Sequence, residues 1–161
     1  TAAIIAARRE LFAQEQALRA LGKPWEQLRM AATAPMLGIR EGRRILGKYT
    51  VTLQDALEGR THPDAVCRVN FPLDIHPPTP DSTIARERAG LHSQPYDIPL
   101  RALEAMDRSN PLLAGRLISG DFFAHSSYRV TGDAATLGEA AGREAARRVA
   151  SPTAQSESAN E

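Results

Sequence analysis

The sequence predicts an α/β chain, with an α+β arrangement as the alternative. Three observations carry that expectation. Both ends of the 161 residues are rich in Ala, Arg and Glu, with apolar residues at helical spacing. Between them, short apolar stretches are separated by Pro and Gly, the punctuation of strands and turns. Finally, Pro111, Leu112, Leu113 and Ala114 are apolar on consecutive positions and are closed by Gly115. That pattern fits a short strand covered on both faces, as in an α/β sheet.

The elements follow in order. In residues 1–21, Ile4, Ile5, Leu11, Phe12, Leu18 and Leu21 form an apolar stripe, and Gly22 suits the position after a helix end. Pro24 suits the first turn of a second short helix over residues 25–32. Both helices are expected to pack rather than to carry chemistry, as an N-terminal segment 1–34. Pro35 ends the second helix. Residues 40–49 alternate imperfectly and read as one or two strands bent at Gly42 and Gly47. Arg40, Glu41, Arg43 and Arg44 then form a solvated face. Thr52 and Asp55 make a capping-box start for a helix over 53–58, ended by Gly59. Strands are expected at 65–70 and 96–100, and a short helix at 101–106. Residues 77–95 are polar and Pro-bearing and read as a long surface loop. Residues 151–161 are small and polar, the composition of a disordered tail.

The stretch 110–146 organises the rest. After the strand and Gly115, residues 116–129 crowd Arg116, Ser119, Asp121, His125, Ser126, Ser127, Tyr128 and Arg129 into a polar loop. A helix is expected from about residue 133 to 149, with Thr131 as its N-cap. Gly138 and Gly142 lie four apart on one face. Each costs a helix about 1 kcal/mol against Ala, so close approach of another backbone is the expected reason for them. The N–H groups near Thr131, Gly132, Asp133 and Ala134, with the helix dipole, form a site for partial negative charge. By itself this is also what an ordinary strand-loop-helix crossover looks like.

Composition excludes several classes. Hydrophobic content of 42% and charged content of 24% are ordinary for a globular domain. A net charge of +1 gives no global field for nucleic acid or a membrane surface. Aromatic content of 5% is poor for base stacking. No apolar run approaches the ~18 residues of a spanning helix. Cys67 is the only cysteine, so neither an intrachain disulfide nor a cysteine metal cluster is expected, and a reducing cytoplasm is the expected location. No His or carboxylate pattern has metal spacing, so no metal is expected. His62, His76 and His92 read as loop histidines. The first residues lack signal-peptide order and an initiator Met, which points to a truncated or processed chain.

Several blocks carry a resemblance. Residues 114–119 (Ala-Gly-Arg-Leu-Ile-Ser), 125–130 (His-Ser-Ser-Tyr-Arg-Val) and 137–142 (Leu-Gly-Glu-Ala-Ala-Gly) are similar to the C-terminal flavin-binding segment of FAD-dependent oxidoreductases. These flavoproteins are related to the glutathione reductase and fumarate reductase flavoproteins. Residues 35–49 resemble the same family's block running from Gly-Ile-Arg-Glu to a Gly and a Tyr, here Gly38 to Tyr49. Leu53 and Asp55, the Pro-Leu-Asp-Ile-His run at 72–76 and the Tyr-Asp-Ile-Pro-Leu-Arg run at 96–101 follow in the family's order. The resemblance spans roughly residues 28–149. It implies the C-terminal part of a two-domain FAD-binding fold, with 35–109 belonging to a substrate or cap domain and 110–150 to the FAD-binding strand-loop-helix.

The family begins with a G-x-G-x-x-G turn on a first βαβ unit, which holds the FAD pyrophosphate. No G-x-G occurs in this sequence. The resemblance therefore implies a fragment, or a subunit whose partner is a chain or region carrying that unit. The family's chemistry is hydride transfer between a small organic substrate and FAD. Gly115 and Arg116 would lie near the FAD ribityl or pyrophosphate, with Ile118 and Ser119 following. Val130, Thr131, Gly132, Asp133 and Ala134 would meet the N1/C2=O edge of the flavin. The family often has Met-Pro where Thr131 and Gly132 stand. Ser127 would sit beside the flavin, His125 would be a general base and Arg129 an anion holder; both are otherwise structural, His125 as a hydrogen-bonder behind the site and Arg129 as an ion-pair partner of Asp121 or Asp133. Arg40 would bind a substrate carboxylate or a flavin-edge oxygen through its planar fork. Two further classes stay open: a non-catalytic accessory subunit, whose sign is FAD binding only with a second chain, and a protein-interaction domain, whose sign is cooperative folding without flavin affinity.

Overall fold

The computed structural model describes residues 2–76, 83 and 90–150. Most of the expected loop 77–95 and the tail 151–161 lie outside the described residues. The chain divides into two compact units, Thr1–Arg40 and Glu41–Glu161.

The first unit is one long helix and a turn. Helix α1, Ala2–Ala20, forms as its composition predicts and ends at Gly22, whose φ of 78° suits a residue without Cβ. Its stripe is exposed: Ile5, Leu11, Phe12 and Leu18 all face solvent, and α1 buries no residue. The expected helix 25–32 shrinks to a 3-10 turn, Trp25–Gln27. A helix that short is marginal without a buried face, and Leu28 is already extended at ψ 136°.

The second unit holds the core. Residues 41–46 adopt no regular strand, so the expected strands over 40–49 are replaced by a seam of single contacts. Gly47 bridges Ala105, Val51 bridges Gly120, and the Ile45 N–H donates to the Leu117 carbonyl at 3.0 Å. Gly47 is required there, because a Cβ would stand 2.7 Å from Ser119 Cβ. Helix α2, Leu53–Glu58, has the expected capping box: Thr52 Oγ1 accepts from the Asp55 N–H and Asp55 accepts from the Thr52 N–H, with Gly59 at φ 63° closing it. Strands β1, Ala65–Val69, and β2, Tyr96–Pro99, pair antiparallel with Cys67 opposite Ile98 and a bulge between Ala65 and Cys67.

The fold is thus mixed helix and strand, with a two-stranded antiparallel sheet among the described residues. The expected buried strand 111–114 is a correction. It contributes one isolated bridge, Leu112 to Glu104, and its Leu113 N–H donates to Leu103. Pro111 has no N–H to give a ladder, and no neighbouring strand among the described residues runs beside it. A 3-10 turn, Gly115–Leu117, follows. The expected helix 101–106 is likewise reduced to a 3-10 turn, Leu100–Ala102. The supposed polar loop 116–129 contains helix α3, Phe122–Tyr128, capped by the Asp121 carboxylate, which accepts from the Ala124 N–H at 2.7 Å. Helix α4, Thr131–Ala150, is the longest element among the described residues. Val51, Val69, Tyr96, Ile98, Leu103, Ile118, Tyr128 and Leu137 form the buried core between the sheet, α3 and α4.

The face of α4 bearing Gly138 and Gly142 meets no close backbone: a Cβ at either would find nothing within 4 Å. The C-terminal end of α4 is fixed by charge. Glu144 binds Arg147 at 2.7 Å and Arg148 at 2.8 Å, and Arg148 also pairs with Glu104, which Lys48 approaches at 3.2 Å. The two guanidinium donors hold the Glu144 carboxyl at about 2, below its ordinary 4.5. A depressed carboxyl stabilises the fold above its unfolded value and loses that contribution as pH falls through its folded value. Thermal unfolding should therefore show Glu144→Gln less stable than the parent at pH 7, with the gap closing between pH 4.5 and pH 2.

Candidate functional site

The stretch 115–134 brings a glycine turn, a buried short helix and a long helix start together. Gly115 is buried and has φ 63°, the left-handed region that a side chain disfavours. A Cβ there would touch Ala134 Cβ at 3.5 Å, so the turn lies directly against the first turn of α4. Thr131 is the first helical residue rather than the N-cap. The Val130 carbonyl accepts the Ala134 N–H at 3.0 Å, which puts Val130 at the cap position. A valine side chain has no acceptor, so Val130 itself cannot cap the N–H groups of Thr131, Gly132 and Asp133. Gly132 borders open space on its Cβ side. Asp133 Oδ2 is buried with no partner, its Oδ1 lies 4.0 Å from Cys67 Sγ, and burial raises its pKa. Burial likewise pushes the Cys67 thiol up to about 11, so it is no thiolate at neutral pH.

His125 lies on α3 and is fully buried. Its ring packs edge-on against Tyr128, centroids 5.3 Å apart. Nδ1 stands 3.3 Å from Glu41 Oε2, yet neither ring nitrogen has a well-formed hydrogen bond. Burial lowers the imidazole pKa most; the Glu41 carboxylate opposes that, the Arg44 and Arg129 guanidiniums reinforce it, and the nearby Arg116 carbonyl favours the protonated ring. The ring is thereby kept neutral at pH 7.

The other expected site residues divide. Ile118 is core, and its carbonyl accepts from Tyr128 Oη at 3.4 Å. Ser119 is buried with Oγ 2.9 Å from Thr50 Oγ1, and Ser127 Oγ donates to the Phe71 carbonyl. Arg116 is exposed beside Gly115. Arg129 pairs with neither Asp121 nor Asp133. It donates to the Asp74 carbonyl at 2.7 Å and lies 3.5 Å from the Asp74 carboxylate, while Asp121 is committed to the α3 cap and the Leu53 N–H. Arg40 is an exposed residue of the first unit. Glu41 and Asp74 are the neighbours that sequence reasoning did not assign to this site. Both partners are distant in sequence, and no local periodicity marks such a pairing.

The arrangement defines a class before it defines a family: a helix start open to a carbonyl or anionic edge, a glycine turn against it, and a neutral buried imidazole close by. A family model described as FAD dependent oxidoreductase matches residues 1–157. The chain belongs to the FAD dependent oxidoreductase family. No curated protein and no solved structure matches it. Family membership implies FAD as cofactor and an oxidoreductase reaction. The residues present are compatible with part of that cofactor, because helix-start N–H groups beside a Cβ-free turn suit a negatively polarised group. Among the described residues no cluster of His, Cys, Asp and Glu could hold a metal ion, and no helix is long and apolar enough to cross a membrane.

One prediction belongs here. Gly115→Ala forces a side chain into the left-handed region and toward Ala134. It should destabilise the chain by about 1–2 kcal/mol in chemical denaturation, chiefly from the backbone. An unchanged midpoint would mean that the turn tolerates a Cβ.

Proposed function

We propose that this chain supplies the flavin-edge and proton-transfer part of an FAD-dependent oxidoreductase acting on a small organic substrate. The observation that carries the reading is the seating of Gly115 against Ala134, which joins the turn to the start of α4. When bound, FAD would supply hydride transfer to or from the substrate. The N–H groups of Thr131, Gly132 and Asp133 would bind the flavin's N1/C2=O edge, where the helix dipole favours negative charge. Gly115 and Arg116 would line the approach to the ribityl chain or pyrophosphate. His125 would accept the substrate proton at Nε2, an unpartnered nitrogen on a ring that burial keeps neutral, the form a general base needs. A buried imidazole whose nitrogens make no well-formed hydrogen bond is costly to keep, which favours a use for it. Arg129 and Ser127 would hold α3 in place through Asp74 and Phe71.

The pyrophosphate half of FAD would be bound by a G-x-G-x-x-G unit on another chain or another region, because this sequence has none. The test is a flavin titration followed by visible absorbance, on this chain alone and on this chain co-expressed with such a unit. Saturable binding only in the second sample, with reduction of the bound flavin slowed about 10²–10⁴-fold by His125→Ala, is expected. Tight binding by the chain alone would overturn the need for a second unit. An unchanged rate in His125→Ala would remove the base.

A further inference from the structure

Glu41, within the block 35–49, is the carboxylate that faces the buried ring. Its Oε2 is 3.3 Å from His125 Nδ1, while its Oε1 is gripped by Arg44. Arg44 in turn donates through Nε to the Gly120 carbonyl at 2.9 Å. That carbonyl stands at the end of the extended segment leading into α3, so the guanidinium ties Glu41 to the backbone that carries His125. The charged and titratable groups around the ring are therefore Glu41 and Arg44 from residues 41–46, and Tyr128 and Arg129 from α3 and its end, with the Arg116 carbonyl from the glycine turn.

We propose that Glu41 is a positioning residue for His125: clamped by Arg44, it holds the ring proton on Nδ1 and leaves the Nε2 lone pair as the acceptor. The physical reason is simple. A neutral imidazole carries one ring proton, and the nitrogen that faces a carboxylate keeps it, since the alternative sets a lone pair against a negative charge. The two atoms are within 3.3 Å but not aligned as a hydrogen bond, as catalytic pairs often are before substrate binds. The inference rests on the reading of His125 as proton acceptor, but its test needs no flavin.

The experiment is 15N–1H correlation NMR of the imidazoles in the full chain, with His125 assigned by its loss in His125→Gln. Free imidazole side chains favour the Nε2–H form, so the expected result, an Nδ1–H tautomer for His125, stands apart from that baseline. Glu41→Gln should keep the Nδ1–H tautomer, because the amide oxygen still accepts, while the ring titrates at lower pH for want of the negative charge. Glu41→Ala should shift the ring toward Nε2–H. The Glu41 side chain is 45% exposed, so circular dichroism should show both variants folded. An Nε2–H tautomer in the parent chain, or a tautomer and titration unmoved in Glu41→Ala, would overturn the assignment. Failure of the flavin titration with a normal Nδ1–H signal would instead strike the cofactor reading and leave the dyad standing.

Discussion

Gly120→Ala is expected to lower the stability of the second unit by about 3 kcal/mol, at the upper end of what overpacking a core usually costs. A Cβ at Gly120 would overlap the phenol of Tyr128, at 2.8 Å from Cε1 and 2.9 Å from Cζ, and closer still to Oη. Neither side can yield easily. Tyr128 is fully buried, and its hydroxyl lies 3.4 Å from the Ile118 carbonyl. Gly120 is held by Arg44 at its carbonyl, and the next N–H, of Asp121, donates to the Val51 carbonyl at 2.8 Å. Guanidinium denaturation should show the midpoint falling with an unchanged slope. Tyr128→Phe removes the nearest clashing atom, so the double variant should recover part of the loss, a coupling that a double-mutant cycle reads directly. Additive losses would show that the Tyr128 hydroxyl is not the obstacle. Because the same ring packs on His125, the displaced phenol should also change the His125 imidazole signal.

What the sequence reveals of this chain follows the range of each interaction. The capping box at Thr52 and Asp55, the left-handed Gly59 and the ends of α1 are set by neighbours within a turn, and they are legible. β1 and β2 are legible as short alternating runs between turn residues, although their antiparallel register is not. Residues 111–114 mislead for a physical reason: four apolar positions in a row state that the segment is covered, not what covers it. Here the partners are Leu103 and Glu104 rather than a neighbouring strand. Helix α3 escapes notice because its residues are polar and aromatic. Its start is nonetheless signalled by Asp121, whose carboxylate accepts from Ala124 three residues on. At the site, the resemblance supplied Gly115, His125 and the helix start. The environment of His125 was not legible, since Glu41 and Arg44 reach it only through the tertiary seam of residues 45–51. Arg129 shows the same limit from the other side: its partner is Asp74 and not a nearer carboxylate.

The other large effect is expected at Asp55. Its carboxylate is fully buried and accepts from Tyr49 Oη at 2.9 Å and from the Thr52 N–H at 2.8 Å, while Arg60 Nη1 approaches at 2.9 Å. Asp55→Ala leaves a phenol hydroxyl, a backbone N–H and a guanidinium without their common acceptor. Removing one side of such a buried set costs about 3–5 kcal/mol; Arg60 can turn to solvent, so about 3 kcal/mol is the expected loss here. Asp55→Asn keeps an acceptor for the cap but presents an N–H₂ to donors, and should fall between the two. Equilibrium denaturation of the three chains gives the order, and a loss below about 1 kcal/mol in Asp55→Ala would show that solvent replaces the carboxylate. The effect should not stay local. The Leu53 N–H at the head of α2 donates to Asp121 Oδ2 at 2.6 Å, and the other oxygen of Asp121 caps α3. Loosening α2 therefore frees one end of the carboxylate that positions α3 and, on it, His125. Hydrogen exchange of α3 amides should accelerate in Asp55→Ala while that of the α4 interior changes less. Equal acceleration in both helices would mean global unfolding, with no specific link from the Asp55 cap to the His125 helix.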